Sequence, residues 1–119
     1  MAYLVKFAFW YHHLTEGILT ASGVSDKLLH VHVGLGIMLV ARLVSGRSLA
    51  TWLPFAAVAV LETGNELLDA LYFGAWRWDD TLSDFANTLF WPGVLMIGLR
   101  LRQPRSAARG GSQKPAARA

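Results

Sequence analysis

Glu62, Asn65, Glu66 and Asp69 follow one another at intervals of three and four residues, so a helix carries them as one polar stripe. Asp84 and Asn87 are three apart and share a face of a later segment. Asp26 stands four residues and Lys27 three before His30. Carboxylates beside an imidazole are the groups of general acid–base chemistry, provided burial tunes them toward neutral pH. Lys27 and Arg77 supply cations able to clamp a phosphate or carboxylate. In that reading Glu62, Asp84 and His30 are the candidate catalytic groups, and Asp26, Lys27, Glu66, Arg77 and Asn87 bind. His30, Glu62, Glu66 and Asp84 are also compatible in ligand type with a hard or borderline divalent ion, although no histidine-rich metal signature is present. No Ser-His-Asp order or phosphate loop names a reaction, and no cofactor is specified.

The surroundings of these groups are unusually apolar. Of 119 residues, 54% are hydrophobic and only 16% charged, with a positive mean hydropathy. Soluble domains carry about 25% charged residues. There is no cysteine, which excludes disulfide scaffolds, thiol nucleophiles and sulfur-bound zinc.

Four apolar blocks can be marked: Tyr3 to Thr20, Leu28 to Val44, Leu49 to Phe73, and Leu82 to Leu101. A spanning helix needs about 20 apolar residues, and the last three blocks approach this. The first block, broken by His12 and His13, either spans or lies along the interface as an amphipathic helix; a span is favoured. The expected fold is an all-α polytopic membrane bundle of four helices, or of three spans if the first lies flat. Ser25 or Asp26 is placed to cap the second helix and Thr81 or Asp80 the fourth. Pro92 predicts a kink, and Gly34 and Gly36 read as small residues for close helix packing. His12, His13 and His32 read as packing or surface residues.

The charges are sorted. Six of the eight acids lie between Glu62 and Asp84, and beyond Ile97 every charge is positive. The chain divides into a membrane-embedded unit, residues 1–103, and a basic tail, 104–119, whose composition predicts disorder. Without interleaved aromatic residues the tail does not read as a nucleic-acid binder. With the tail and the turn around Gly46 inside, nine of the eleven Lys and Arg are cytoplasmic if the first block spans, in line with the positive-inside rule. His30, Glu62 and Asp84 then return to one level in the outer leaflet. A carboxylate in hydrocarbon costs at least about 2.5–3.5 kcal/mol, so this gathering demands partners, water or protons.

In order and spacing, Asp26-Lys27-Leu28-Leu29-His30 opening a helix, Glu62 in the next, Arg77 in the following turn, then Asp84 and Asn87-Thr88 resemble the VanZ-like family of small bacterial membrane proteins. His32 replaces an aromatic residue usual in that pattern, and Asp84 and Asn87 are three rather than four apart. The resemblance implies a four-helix bacterial membrane unit, here placed in the cytoplasmic membrane with the C-terminus inside by the charge bias, and an association of the family with glycopeptide resistance, mainly to teicoplanin. Two functions compete: a protein acting on or binding a lipid-linked or headgroup substrate, and a non-catalytic accessory subunit whose polar stripe seals a membrane-protein partner. Proton or ion transfer across the bilayer is disfavoured, because Leu35 to Val40, Leu53 to Leu61 and Val94 to Ile97 are apolar.

Overall fold

Gly23, Gly46 and Gly74 end three helices in the left-handed conformation, with φ of 66°, 67° and 69°, where a side chain would be strained. The backbone N–H of Gly23 donates to the Leu19 carbonyl (3.0 Å) and that of Gly46 to the Arg42 carbonyl (2.9 Å). The computed structural model describes residues 1–103. The described chain consists of α1 (Ala2–Ser22), α2 (Asp26–Ser45), α3 (Trp52–Phe73) and α4 (Trp78–Arg102), with no strand. The basic tail expected over 104–119 lies outside the described residues.

The starts follow different chemistry. Ser25 caps α2, its Oγ accepting from the Leu28 N–H at 3.3 Å. In α3, Pro54 sits in the first turn, where its missing N–H is no loss. The fourth helix begins earlier than the sequence suggests. Arg77 is its N-cap and makes no side-chain cap bond, while Asp79 and Asp80 in the first turn oppose the positive end of the helix dipole. Neither Thr81 nor Asp80 is the cap: Thr81 is buried within the helix and Asp80 is committed to a lysine.

Short connections make consecutive helices antiparallel. α3 is central and touches each of the others, whereas α1 packs chiefly on α3 and stands outside the α2–α3–α4 core. That core changes character along its length. Toward the α2–α3 turn it is apolar: Met38, Val58 and Met96 are buried, with Ile37, Leu49, Phe55 and Leu89 packed around them. Toward the other end the buried residues are Glu62, Glu66, Thr81, Asp84 and Thr88.

α4 runs unbroken through the buried Pro92. Proline has no N–H for the carbonyl four residues back, so the Thr88 oxygen loses its helical partner. Gly34 of α2 lies against this oxygen so closely that a Cβ would overlap it. Gly36 has open space around its Cα, and so does not serve the close packing expected of it.

By length and composition one helix, α2, is apolar enough to cross a membrane. α3 falls short of that composition because Glu62, Glu66 and Asp69 lie within any long window of it. α1 carries Lys6, two histidines and Glu16, and α4 opens with acids and closes with arginines. The spans expected of blocks one, three and four are thus diluted by polar residues, of which Glu62, Asp80 and Asp84 belong to the candidate site.

Candidate functional site

Lys27 occupies the second position of α2, so its side chain reaches across to the first turns of α4. Its Nζ donates to Asp80 Oδ1 at 2.9 Å and makes a shorter contact with Asp84 Oδ1, with Asp26 Oδ2 3.5 Å away. Asp84 is 3% exposed, so this ammonium neutralises a carboxylate that has little access to water. Arg77 adds a second cation to Asp80, 3.2 Å from Oδ2, and its guanidinium lies 4.4 Å above the centre of the Phe73 ring. Lys27 and Asp80 precede the apolar stretches of their helices. Burial pulls the Lys27 ammonium down, but hydrogen bonds to Asp84 and Asp80 outweigh it and hold its pKa above the ordinary lysine value. The Lys27 hydrogen bond pulls the Asp80 carboxyl below the usual range, against a smaller opposing effect of burial.

One turn deeper, His30 lies between the rim and the interior. Its Nε2 edge faces Asp26 Oδ1 and Asp84 Oδ1, each at 3.7 Å. Its Nδ1 edge meets Thr88 Oγ1 at 3.0 Å and Glu62 Oε1 at 3.3 Å. The Thr88 contact has hydrogen-bond geometry, while Glu62 Oε1 is left without a hydrogen bond. Glu62 is 5% exposed, which makes this an unusual place for a bare carboxylate oxygen.

Of the residues proposed from sequence, Asp26, Lys27, His30, Glu62, Asp84 and Arg77 belong to this one connected cluster. Glu66 and Asn87 do not join its hydrogen bonds. Asn87 donates to the Ser83 carbonyl of its own helix (2.8 Å), because the inward face of α4 runs through Thr81, Asp84, Thr88 and Pro92. Glu66 is buried near the cluster, accepting a long 3.4 Å bond from Asn65 Nδ2. A small pocket between the ends of α3 and α4 is walled by Glu66, Asp69, Arg77, Asp80 and Thr81.

Two participants are not singled out by residue type. Thr88 could have been found from its spacing, four after Asp84 and four before Pro92. Asp80 is in the sequence a plausible cap, and only the helix start reveals its pairing.

The stripe on α3 also splits. Tyr11 of α1 donates to Asn65 Oδ1 at 2.7 Å. His12 stacks on Tyr72 with ring centres 3.7 Å apart, its Nε2 3.3 Å from Glu16 Oε1 and its Nδ1 3.8 Å from Asp69 Oδ1. Asn65 and Asp69 thus face α1, while Glu62 faces α2. His12 is a docking residue between helices. His32 is exposed, with Nδ1 2.7 Å from its own helix at the Leu28 carbonyl.

Asp26, His30 and Asp84 offer three ligand atoms within 4.8 Å of one another. The Lys27 ammonium already sits on Asp84 Oδ1, so a metal ion there would have to displace it. As a chemical site the cluster offers a buried carboxylate beside an imidazole, a partly exposed lysine and an exposed guanidinium at the rim. No known family matches the chain, and no curated protein or solved structure does either.

Proposed function

We propose that the chain is a VanZ-like integral membrane protein of a bacterial cell envelope, whose four helices lie in the cytoplasmic membrane with the C-terminus in the cytoplasm. Its polar cluster faces the outer leaflet and binds or acts on a lipid-linked or headgroup substrate. Arg77, exposed at the rim, takes the anionic part of that substrate, and the His30–Glu62 pair beneath it is the candidate acid–base group.

The observation that carries this reading is the inverted distribution of polarity. The half of the core that holds Glu62, Asp84 and Thr88 is polar, while Leu39, Val40, Leu43, Val44, Val60, Leu61 and Phe90 point outward and are mostly exposed. In water such a surface would be a large exposed apolar patch; in lipid it is matched to its solvent. The ends agree. Trp52 lies under Arg100 at one end of α3, and Trp76 and Trp78 flank Arg77 beyond the other. The 22 residues of α3 between them rise about 33 Å, close to the bilayer core.

The test is complementation of a deletion strain by the wild type, Glu62→Gln and Asp84→Asn, with envelope lipids measured by mass spectrometry and membrane insertion checked for each. A lipid or wall precursor that shifts on deletion and is restored only by the wild type supports a substrate site. Full rescue by both isosteric variants would mean that the carboxylates only hold helices together, and would favour an accessory subunit.

A further inference from the structure

We propose that Glu62 and His30 share one proton, that the imidazole passes it between the buried Glu62 and the carboxylates at the rim, and that Thr88 is the positioning residue that holds the ring for this. The proposal rests on the reading of the cluster as a chemical site, and adds a division of labour between its two buried acids.

The geometry separates them. Asp84 Oδ1 has the Lys27 ammonium on it, so its charge is balanced and it has no need of a further proton. Glu62 Oε1 has no hydrogen bond, and its near neighbour is His30 Nδ1 at 3.3 Å. If neither atom carried a proton, two electron-rich atoms would lie 3.3 Å apart in a buried site. One proton removes the conflict. Placed on Nδ1, it gives an imidazolium whose two N–H edges face Glu62 and Thr88 on one side and Asp26 and Asp84 on the other. Placed on Oε1, it gives a neutral pair in which the carboxyl O–H points to Nδ1 and the ring proton sits on Nε2.

Those two states are the halves of a relay. The Glu62 O–H bond breaks as an Nδ1–H bond forms. The Nε2–H bond then breaks as a proton passes to Asp26, whose side chain is half exposed, leaving a neutral ring protonated at Nδ1. A water is suited to bridge the 3.7 Å gap on that side. The net result is one proton moved from Glu62 to the rim, with no electron transferred, and the reverse sequence reloads Glu62. Every titratable group packed around the ring has a place in this account: Asp26 on its own helix, Glu62 on α3, and Asp84 on α4 with Lys27 and Asp80 balancing it.

Thr88 Oγ1 lies 3.0 Å from Nδ1 and is itself 1% exposed, so it sets the plane of the ring. Its hydroxyl can accept from Nδ1–H in the imidazolium state, or share the single Nδ1 lone pair with the Glu62 O–H in the neutral one.

The experiment uses full-length protein in vesicles of phosphatidylethanolamine and phosphatidylglycerol. The protonated-carboxyl stretch is followed by infrared spectroscopy across pH, and the ring nitrogens by 15N solid-state NMR, with His30 assigned by its loss in His30→Gln. The expected result is a carboxyl band that vanishes in Glu62→Gln and changes frequency in His30→Gln, where the O–H loses its imidazole acceptor. Thr88→Val should change the balance of His30 tautomers and Thr88→Ser restore it. A Glu62 band of the same frequency in wild type and His30→Gln would overturn the shared proton. Tautomers unchanged in Thr88→Val would overturn the positioning role. Should Glu62→Gln fail to insert, the threonine pair still decides on an unaltered Glu62 and His30. None of these readouts depends on an envelope-lipid phenotype, so failure of the relay and failure of the substrate reading are distinguishable.

Discussion

Gly34 of α2 lies directly against the Thr88 carbonyl of α4, the one that Pro92 deprives of its helical hydrogen bond. A proline that would otherwise leave a buried carbonyl unpaired is accommodated because the facing residue has no side chain, and a Cα–H can approach the oxygen. The contact also sets how closely His30, one turn before Gly34, approaches Thr88 Oγ1. Gly34→Ala must push the two backbones apart, and is expected to cost about 1–3 kcal/mol in detergent unfolding. Gly36→Ala, with open space around it, should stay within about 0.5 kcal/mol of wild type. Equal effects at the two positions would contradict the close approach.

Lys27→Met removes the cation from Asp84 while leaving most of the side-chain volume. Because Asp84 is buried, the loss is expected to be about 3 kcal/mol, at the low end for a broken buried pair since the Lys27 side chain is itself 37% exposed. Asp84→Asn in the Lys27→Met background should recover much of it, giving a coupling term in a double-mutant cycle. Additive losses would mean that the pair does not act as one unit.

The Lys27–Asp80 bridge defines a pH window. Asp80 is held below its unfolded value, so its contribution is complete above about pH 4 and fades as pH falls through the lower folded value. Lys27 is held above its unfolded value, so its contribution is complete below about pH 10 and fades as pH rises through the higher folded value. Thermal unfolding in detergent should therefore show losses on both flanks. Asp80→Asn is expected to flatten the acid flank selectively, and Lys27→Gln to weaken both. An acid flank identical in Asp80→Asn would place that loss elsewhere.

Sidedness can be read with single cysteines, since the chain has none of its own. Ala75→Cys in the α3–α4 turn should react with an impermeant maleimide added to intact spheroplasts. Ser48→Cys in the α2–α3 turn should react only after permeabilisation. The opposite pattern would invert the proposed topology, and labelling of both in intact spheroplasts would mean that α3 does not span.

Much of the local structure is legible from residue types. Ser25, Gly23, Gly46 and Gly74 mark helix ends because capping and positive φ are properties of single residues and their neighbours. The start of α4 is not legible in this way. Asp80 and Thr81 have the chemistry of caps, but Asp80 is bonded to a lysine 53 positions away, and that partnership exists only once α2 and α4 lie side by side. The same holds for Asn87. Spacing from Asp84 places it near one face, yet that face is centred on Thr88, so Asn87 turns to its own backbone.

The sequence by itself determines a short, strongly apolar, helix-forming chain, with acids and histidines confined to particular stretches and a basic end. These follow from composition and from periodicities of three to four residues. Only the tertiary structure decides which of the acids meet. α3 is flanked by α1 and α2 on different sides, so a stripe that reads as continuous is divided. Asn65 and Asp69 go to Tyr11 and His12, and Glu62 goes to His30. Helical periodicity specifies the angle at which a side chain leaves its own axis. Which neighbour lies at that angle, and whether a lysine or an imidazole waits there, depends on how the helices pack.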